Sequence, residues 1–202
     1  MHLLLIRHAL PLASADPHGA DPSLSEAGVQ MACRLPAALR RHRITRLVSS
    51  PQARARQTAH PIGAELNLTV EVDERLAEYD YGLTGYVPME KIRAQDPAQW
   101  ARLVAGELPD SVDVEAFEAR VLAAADELTS QASSRETTAV VCHGGVINVV
   151  LRRAVRSEKL FPFVIDYASV SHLGFSSRPE PVVLGINNTE HVWDLLPRIA
   201  DR

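Results

Sequence analysis

Apolar and polar positions alternate along this chain in two periods. The run Leu3-Leu4-Leu5-Ile6 is continuously apolar, as suits a short strand buried on both faces, and it stops at Arg7 and His8. Asp16 to Ser25, with Pro17, Gly19 and Pro22, reads as a loop. Ser25 then caps a helix reaching about Arg41, with Pro36 as a kink or break. Arg46 to Ser49 is a second strand, Pro51 stands in the first turn of a helix running to about Leu66, and Thr69 to Val72 is a third strand. Val114, Phe117, Val121, Ala125 and Leu128 recur at spacings of three and four, which predicts an amphipathic helix. Ala139 to Cys142 is a fourth strand, Gly144 opens a helix to about Val155, and Ser169 to Phe175 and Val182 to Ile186 are two final strands.

This alternation predicts an α/β fold with a largely parallel central sheet and helices on both faces. One segment departs from it. Glu78 to Pro109 holds Tyr79, Tyr81, Tyr86, Pro88, Trp100 and three glycines around one short helix, and reads as a lid inserted over the sheet rim, the insertion spanning about residues 78–112. The aromatics suit either stacking on a substrate or a small core of the lid itself. With 202 residues, 46% of them hydrophobic, the expectation is one domain over residues 1–202.

Composition narrows the function classes. No apolar run approaches the roughly 20 residues of a membrane span, and the first apolar stretch breaks too early for a signal peptide, so the expected location is cytoplasmic. The two cysteines, Cys33 and Cys142, have no metal-ligand spacing and read as small buried residues. A net charge of −4 argues against a general nucleic-acid binder. The charge is uneven, however: residues 1–60 carry eight basic against three acidic residues, and residues 61–135 six against fifteen. The basic excess of the first part would draw anions toward it.

His8 and His143 each close an apolar strand, and an open α/β sheet keeps its binding crevice at the carboxyl ends of its strands. Two imidazoles and the Arg7 guanidinium are therefore expected at one rim, an arrangement suited to holding and transferring a phosphoryl group. Arg54 falls near the start of a helix, where free N–H groups also favour an anion, while Arg56 points away as a surface residue. The other histidines, His2, His18, His42, His60, His172 and His191, show no metal-ligand spacing.

Four stretches in order, Arg7-His8, Ser49 to Ala59, Leu76 to Gly82 and Cys142 to Ile147, resemble the histidine phosphatase, or phosphoglycerate mutase-like, superfamily. The resemblance implies that His8 is a nucleophile that becomes phosphorylated, that Arg7 and Arg54 grip the phosphate as planar forks, and that His143 donates to the transferring group, with Gly144 and Gly145 allowing close backbone approach. Glu78 matches the proton donor, and Asp80, two residues on, is the alternative. The implied activity is metal-independent hydrolysis of a small phosphorylated metabolite, with no cofactor and a homodimer as one open assembly. A phosphomutase is the second reading, with Lys91, Arg93 and Arg102 as the basic residues that would retain a diphosphate. A non-catalytic phosphate-binding module is the third. The chain departs from the family pattern at Ala9, Leu10, Pro11 and Ser14, at Leu83-Thr84-Gly85 and at Asp110, positions that bear on specificity. The histidines outside these stretches read mostly as surface or loop residues; Asn188 to His191 falls where relatives carry a turn near the site, which leaves a peripheral role as the alternative for His191.

Overall fold

Six strands form one sheet in the computed structural model of the chain, which describes residues 1–12, 21–82, 89–133, 135–176 and 181–200. They are β1 (His2–Arg7), β2 (Arg46–Ser49), β3 (Val70–Val72), β4 (Thr137–Cys142), β5 (Val170–Gly174) and β6 (Val182–Asn188), in spatial order β3-β2-β4-β1-β5-β6. The first four run parallel, and β5 and β6 add an antiparallel flank. β1 and β4 lie at the centre, which is why both read as unbroken apolar runs: residues facing either way meet a packed layer.

The two layers divide the strand residues by parity. Leu3, Leu5, Val140 and Cys142 join the core beneath α5 (Val114–Ser130) and α6 (Gly144–Val155). Leu4, Ile6, Ala139 and Val141 join the core beneath α1 (Glu26–Leu39) and α2 (Ala53–Leu66). The register sets Leu4 opposite Ala139 and Arg7 opposite Cys142, so His8 and His143 both emerge one residue past the paired strands at the same rim. The His8 N–H donates to the Cys142 carbonyl at 2.8 Å, which extends the pairing one residue further toward that rim.

Several boundaries differ from expectation for reasons that lie in tertiary structure. Pro36 does not break α1; the helix continues to Leu39 because Met31, Ala32, Leu35, Pro36 and Leu39 are buried along one face, and packing outweighs propensity. Pro61 likewise lies inside α2. α2 begins at Ala53, two residues later than Pro51 suggests, because the Asp21 carboxylate accepts the Ala53 N–H at 2.8 and 3.0 Å. The segment after Glu78 holds two helices, α3 (Met89–Gln95) and α4 (Pro97–Ala105), divided at Asp96, whose side chain accepts from the Gln99 N–H at 2.9 Å. Ile92, Leu103 and Leu108 of this segment belong to the same apolar cluster as α5 and α6, and Tyr79 packs on Phe117 and Phe161. Cys33 is exposed, since the buried stripe of α1 runs through Met31, Ala32 and Leu35. A final helix, α7 (Pro197–Ala200), follows a 3-10 turn whose Val192 joins the α1 side of the core. The expected loop from Asp16 lies outside the described residues as far as Ala20, as do Ser14 and the stretch from Leu83 to Pro88 that contains Tyr86.

The N-terminus of α1 is fitted tightly to the chain leaving β1. Ser25 caps the helix by accepting the Gly28 N–H at 3.0 Å while its hydroxyl donates to the Leu10 carbonyl at 3.0 Å. A Cβ on Gly28 would stand 2.0 Å from the Leu10 carbonyl oxygen, a backbone atom that cannot swing aside. Alanine gains up to about 1 kcal/mol in helix propensity over glycine, but overpacking costs about 1–3 kcal/mol. Gly28→Ala is therefore expected to lower the denaturant midpoint, while Val29→Ala, on the exposed face, leaves it near its original value; an unchanged or raised midpoint for Gly28→Ala would contradict this packing.

Candidate active site

The residues beyond β1 hold the first imidazole. His8, 2% exposed, has its backbone N–H on Cys142 and its carbonyl accepting from the Ala168 N–H at 3.2 Å. The next residue, Ala9, donates its N–H to Thr58 Oγ1 at 2.9 Å, and that hydroxyl donates back to the Arg54 carbonyl at 2.7 Å, locking the strand end to α2. His8 Nδ1 lies 2.8 Å from the Ala9 carbonyl oxygen. A carbonyl only accepts, so Nδ1 carries the hydrogen and Nε2 keeps its lone pair. Burial, then the charges of Arg54 and Arg7, hold the His8 pKa well below its ordinary 6.5, against the smaller opposing pull of the Ala9 carbonyl. The ring is a neutral imidazole with a basic nitrogen.

The second imidazole, His143, precedes α6 and is fully buried, its ring 5.1 Å from that of His8 between centroids. Its Nε2 meets Ser50 Oγ at 2.7 Å, and its buried Nδ1 has no hydrogen-bond partner among the described residues. Burial, followed by Arg54, His8 and Arg7, keeps this ring neutral too. Both imidazoles lie within the electrostatic reach of Arg7 and Arg54.

Each arginine is oriented from a different direction. Arg7 Nη1 donates to the Ile165 carbonyl at 2.6 Å, and its guanidinium lies over the Tyr167 ring at 3.8 Å. The loop supplying those contacts is fixed by Asp166, which receives Arg198 Nε and Nη2 at 3.0 and 2.9 Å and the Asn187 side-chain amide at 2.8 Å. His191 Nε2 donates to the Ala168 carbonyl at 3.0 Å, one residue from Tyr167, and so braces the site without entering it. Arg54, 1% exposed, donates through Nη2 to both oxygens of Asp80 at 3.1 Å and through Nη1 to Asp21 at 3.5 Å.

Glu78 is buried at the start of α6. Its Oε2 accepts the Gly145 N–H at 2.8 Å and its Oε1 the Tyr79 N–H at 3.1 Å. Burial, reinforced by the negative charge of Asp80, pushes its pKa up to about 7, while those N–H donors and Arg54 pull the other way. A Cβ on Gly145 would lie 2.3 Å from Glu78 Oε1, so glycine is required there for the carboxylate to approach; at Gly144 the nearest atom, Arg7 Nε, would be an ordinary 3.8 Å away. Close approach thus belongs to Gly145 and serves Glu78. Asp80 is already committed to Arg54 and to the Gln52 side-chain amide, which donates to it at 3.0 Å.

Sequence reasoning missed Gln52, Ser50, Tyr167 and Arg120. Gln52 and Ser50 stand inside the Ser49 to Ala59 stretch, where their polarity beside a strand end was a usable signal; Tyr167 and Arg120 act across long chain separations and leave no local pattern. Other residues lie elsewhere. Arg56 is exposed, Arg93 stacks near Trp100, and Arg102 pairs with Glu107 and Asp110 on the surface. Burial holds the Cys142 thiol protonated, in keeping with a packing role. Among the described residues no group of three or more His, Cys, Asp or Glu is arranged to hold a metal, and no helix is long and apolar enough to cross a membrane.

With this geometry established, comparison with known proteins is specific. Phosphoserine phosphatase 1 of Hydrogenobacter thermophilus is 29% identical over 205 residues, covering 95% of this chain and 94% of that protein. The fold matches the structure of Bacillus stearothermophilus YhfR with a TM-score of 0.79 at 22% identity, over 95% of this chain and 98% of that one. It also matches a mycobacterial glucosyl-3-phosphoglycerate phosphatase in complex with VO3, with a TM-score of 0.76 at 24% identity, over 92% and 98% of the two chains. The family model of the histidine phosphatase superfamily (branch 1) matches residues 3–189, and the chain belongs to that superfamily.

Proposed function

We propose that this protein is a phosphomonoester hydrolase that works through a phosphohistidine at His8. The observation that carries the reading is the state of that ring: neutral, buried, with its proton fixed on Nδ1 by the Ala9 carbonyl and its Nε2 lone pair beside His143 and within the field of two guanidiniums. A nucleophile in that state needs no base to activate it.

In the first half-reaction, Arg7 and Arg54 hold the non-bridging oxygens and His8 Nε2 attacks phosphorus. The bond from phosphorus to the ester oxygen breaks, and Glu78 gives its proton to the departing alkoxide. The Ser50 hydroxyl, which accepts from the Gln52 N–H at 3.3 Å, donates its own hydrogen to His143 Nε2 in this reading, and Nδ1 of His143 carries the hydrogen given to the phosphoryl group. Gly144, at the same helix start, contributes its backbone N–H to that anion. In the second half-reaction the Glu78 carboxylate takes a proton from water, the oxygen attacks phosphorus, and the bond to Nε2 breaks to release inorganic phosphate. A pKa near 7 suits a group that must be acid and then base. The positive charge comes from the protein's own arginines, so the reaction proceeds without metal.

The substrate is a small phosphorylated metabolite. The relative named as a phosphoserine phosphatase makes phosphorylated small alcohols the first class to screen.

The purified protein should hydrolyse p-nitrophenyl phosphate and alkyl phosphates in the presence of a chelator. Glu78 must be protonated to act as acid, so kcat for an alkyl phosphate should fall as pH rises through about 7, and Glu78→Gln should remove that limb together with most of the rate. The acid limb belongs to His8 and lies below 6.5. Activity lost to the chelator, or an alkaline limb retained in Glu78→Gln, would contradict the assignment.

Asp80 occupies donors of Arg54 that an anion would use, and its charge opposes phosphate. Asp80→Asn keeps one acceptor oxygen for Arg54 and Gln52 but removes the second acceptor together with the charge. It should tighten inhibition by vanadate by roughly tenfold, the equivalent of about 1.4 kcal/mol. Unchanged or weaker inhibition would show that the Asp80 charge does not compete at the site.

A further inference from the structure

The turn that carries Glu78 is held by a side chain from another element. Arg120 lies mid-way along α5, half-buried, with its guanidinium 4.9 Å from the centre of the Phe117 ring. Nη1 donates to the carbonyls of Arg75 at 2.7 Å and Ala77 at 2.6 Å, and Nη2 donates to the carbonyl of Glu78 itself at 3.1 Å. It forms no ion pair with a carboxylate among the described residues. A half-buried guanidinium normally takes a carboxylate partner, because its desolvation is otherwise poorly offset. Here the whole fork is used on one turn of backbone.

The consequence reaches the Glu78 side chain. The backbone of Glu78 is held on both sides, its N–H on Gln52 Oε1 at 2.8 Å and its carbonyl on Arg120 and on the Tyr81 N–H at 3.1 Å. From that fixed backbone the side chain reaches the α6 start, where the Gly145 N–H receives it.

We propose that Arg120 is a positioning residue for the proton donor, acting through the three carbonyls of residues 75, 77 and 78. This rests on the reading of Glu78 as the acid. Misplacing a general acid harms substrates in proportion to their need for a proton on the leaving oxygen. An alkyl phosphate needs it, whereas p-nitrophenolate departs without it. A residue that only stabilised the fold would affect both alike.

The test compares kcat/KM, which reports phosphoryl transfer to His8 and not the later hydrolysis common to both substrates, for β-glycerophosphate and p-nitrophenyl phosphate in Arg120→Met, Arg120→Lys and Glu78→Gln. General acid catalysis is worth about 10²–10⁴ in rate, so Arg120→Met should lose on the order of tenfold or more on the alkyl phosphate and less than about threefold on the aryl one. Arg120→Lys keeps the charge but has a single nitrogen for three carbonyls; it should show a smaller split in the same direction, and it decides the matter if Arg120→Met does not fold. Equal losses on both substrates, or no loss on either, overturn the proposal. If Glu78→Gln shows the split and the Arg120 variants do not, Arg120 alone is refuted. If Glu78→Gln shows no split, the assignment of the acid fails and this inference fails with it.

Discussion

A single hydrogen bond, from His8 Nδ1 to the carbonyl of Ala9 at 2.8 Å, governs the chemistry of this site. A buried imidazole between two guanidiniums must be neutral, since a third positive charge would be both desolvated and repelled. Neutrality alone leaves the proton on either nitrogen. The Ala9 carbonyl removes that freedom and directs the lone pair of Nε2 outward. Much of the surrounding structure serves this contact: the Thr58 hydroxyl holds the Ala9 N–H, the Ala168 N–H holds the His8 carbonyl, and His191 in turn holds the carbonyl of Ala168.

Charge around the ring is arranged in two layers. Arg7 stays over Tyr167 and is aimed by a loop that Asp166, Arg198 and Asn187 make rigid. Arg54 is instead matched by Asp80, and Gln52 joins that pair to Glu78, donating to Asp80 while accepting the Glu78 N–H. One buried amide thus couples Arg54 to the proposed proton donor. The negative charge of Asp80 also helps raise the Glu78 pKa toward 7, so the residue that pairs with Arg54 also tunes Glu78.

What could be read from the sequence was what local pattern encodes. β1, β4 and α6 are legible because a strand buried on both faces leaves a continuous apolar run, and because His143-Gly144-Gly145 marks the change from strand to helix. Arg7, His8 and His143 follow from where those strands end, and Arg54 from the start of α2. The start of α2 was misjudged because its cap is Asp21, more than thirty residues upstream. The two helices after Glu78 read as one because each is short and buries few residues, with Ile92 and Leu103 meeting a core built elsewhere in the chain. Arg120 on its carbonyls and Tyr167 beneath Arg7 are products of tertiary contact, and no periodicity announces them. The roles of Gly144 and Gly145 needed coordinates as well, since the Glu78 carboxylate that excludes a side chain from 145 is distant in the chain.

The most direct measurement is to trap the covalent intermediate. Enzyme mixed rapidly with radiolabelled phosphate ester, quenched in base to preserve phosphohistidine and mapped by peptide mass spectrometry and phosphorus NMR, should carry the label on Nε2 of His8. His8→Ala should carry none and should lose turnover. Label on another residue or on Nδ1, or undiminished turnover by His8→Ala, would contradict the account.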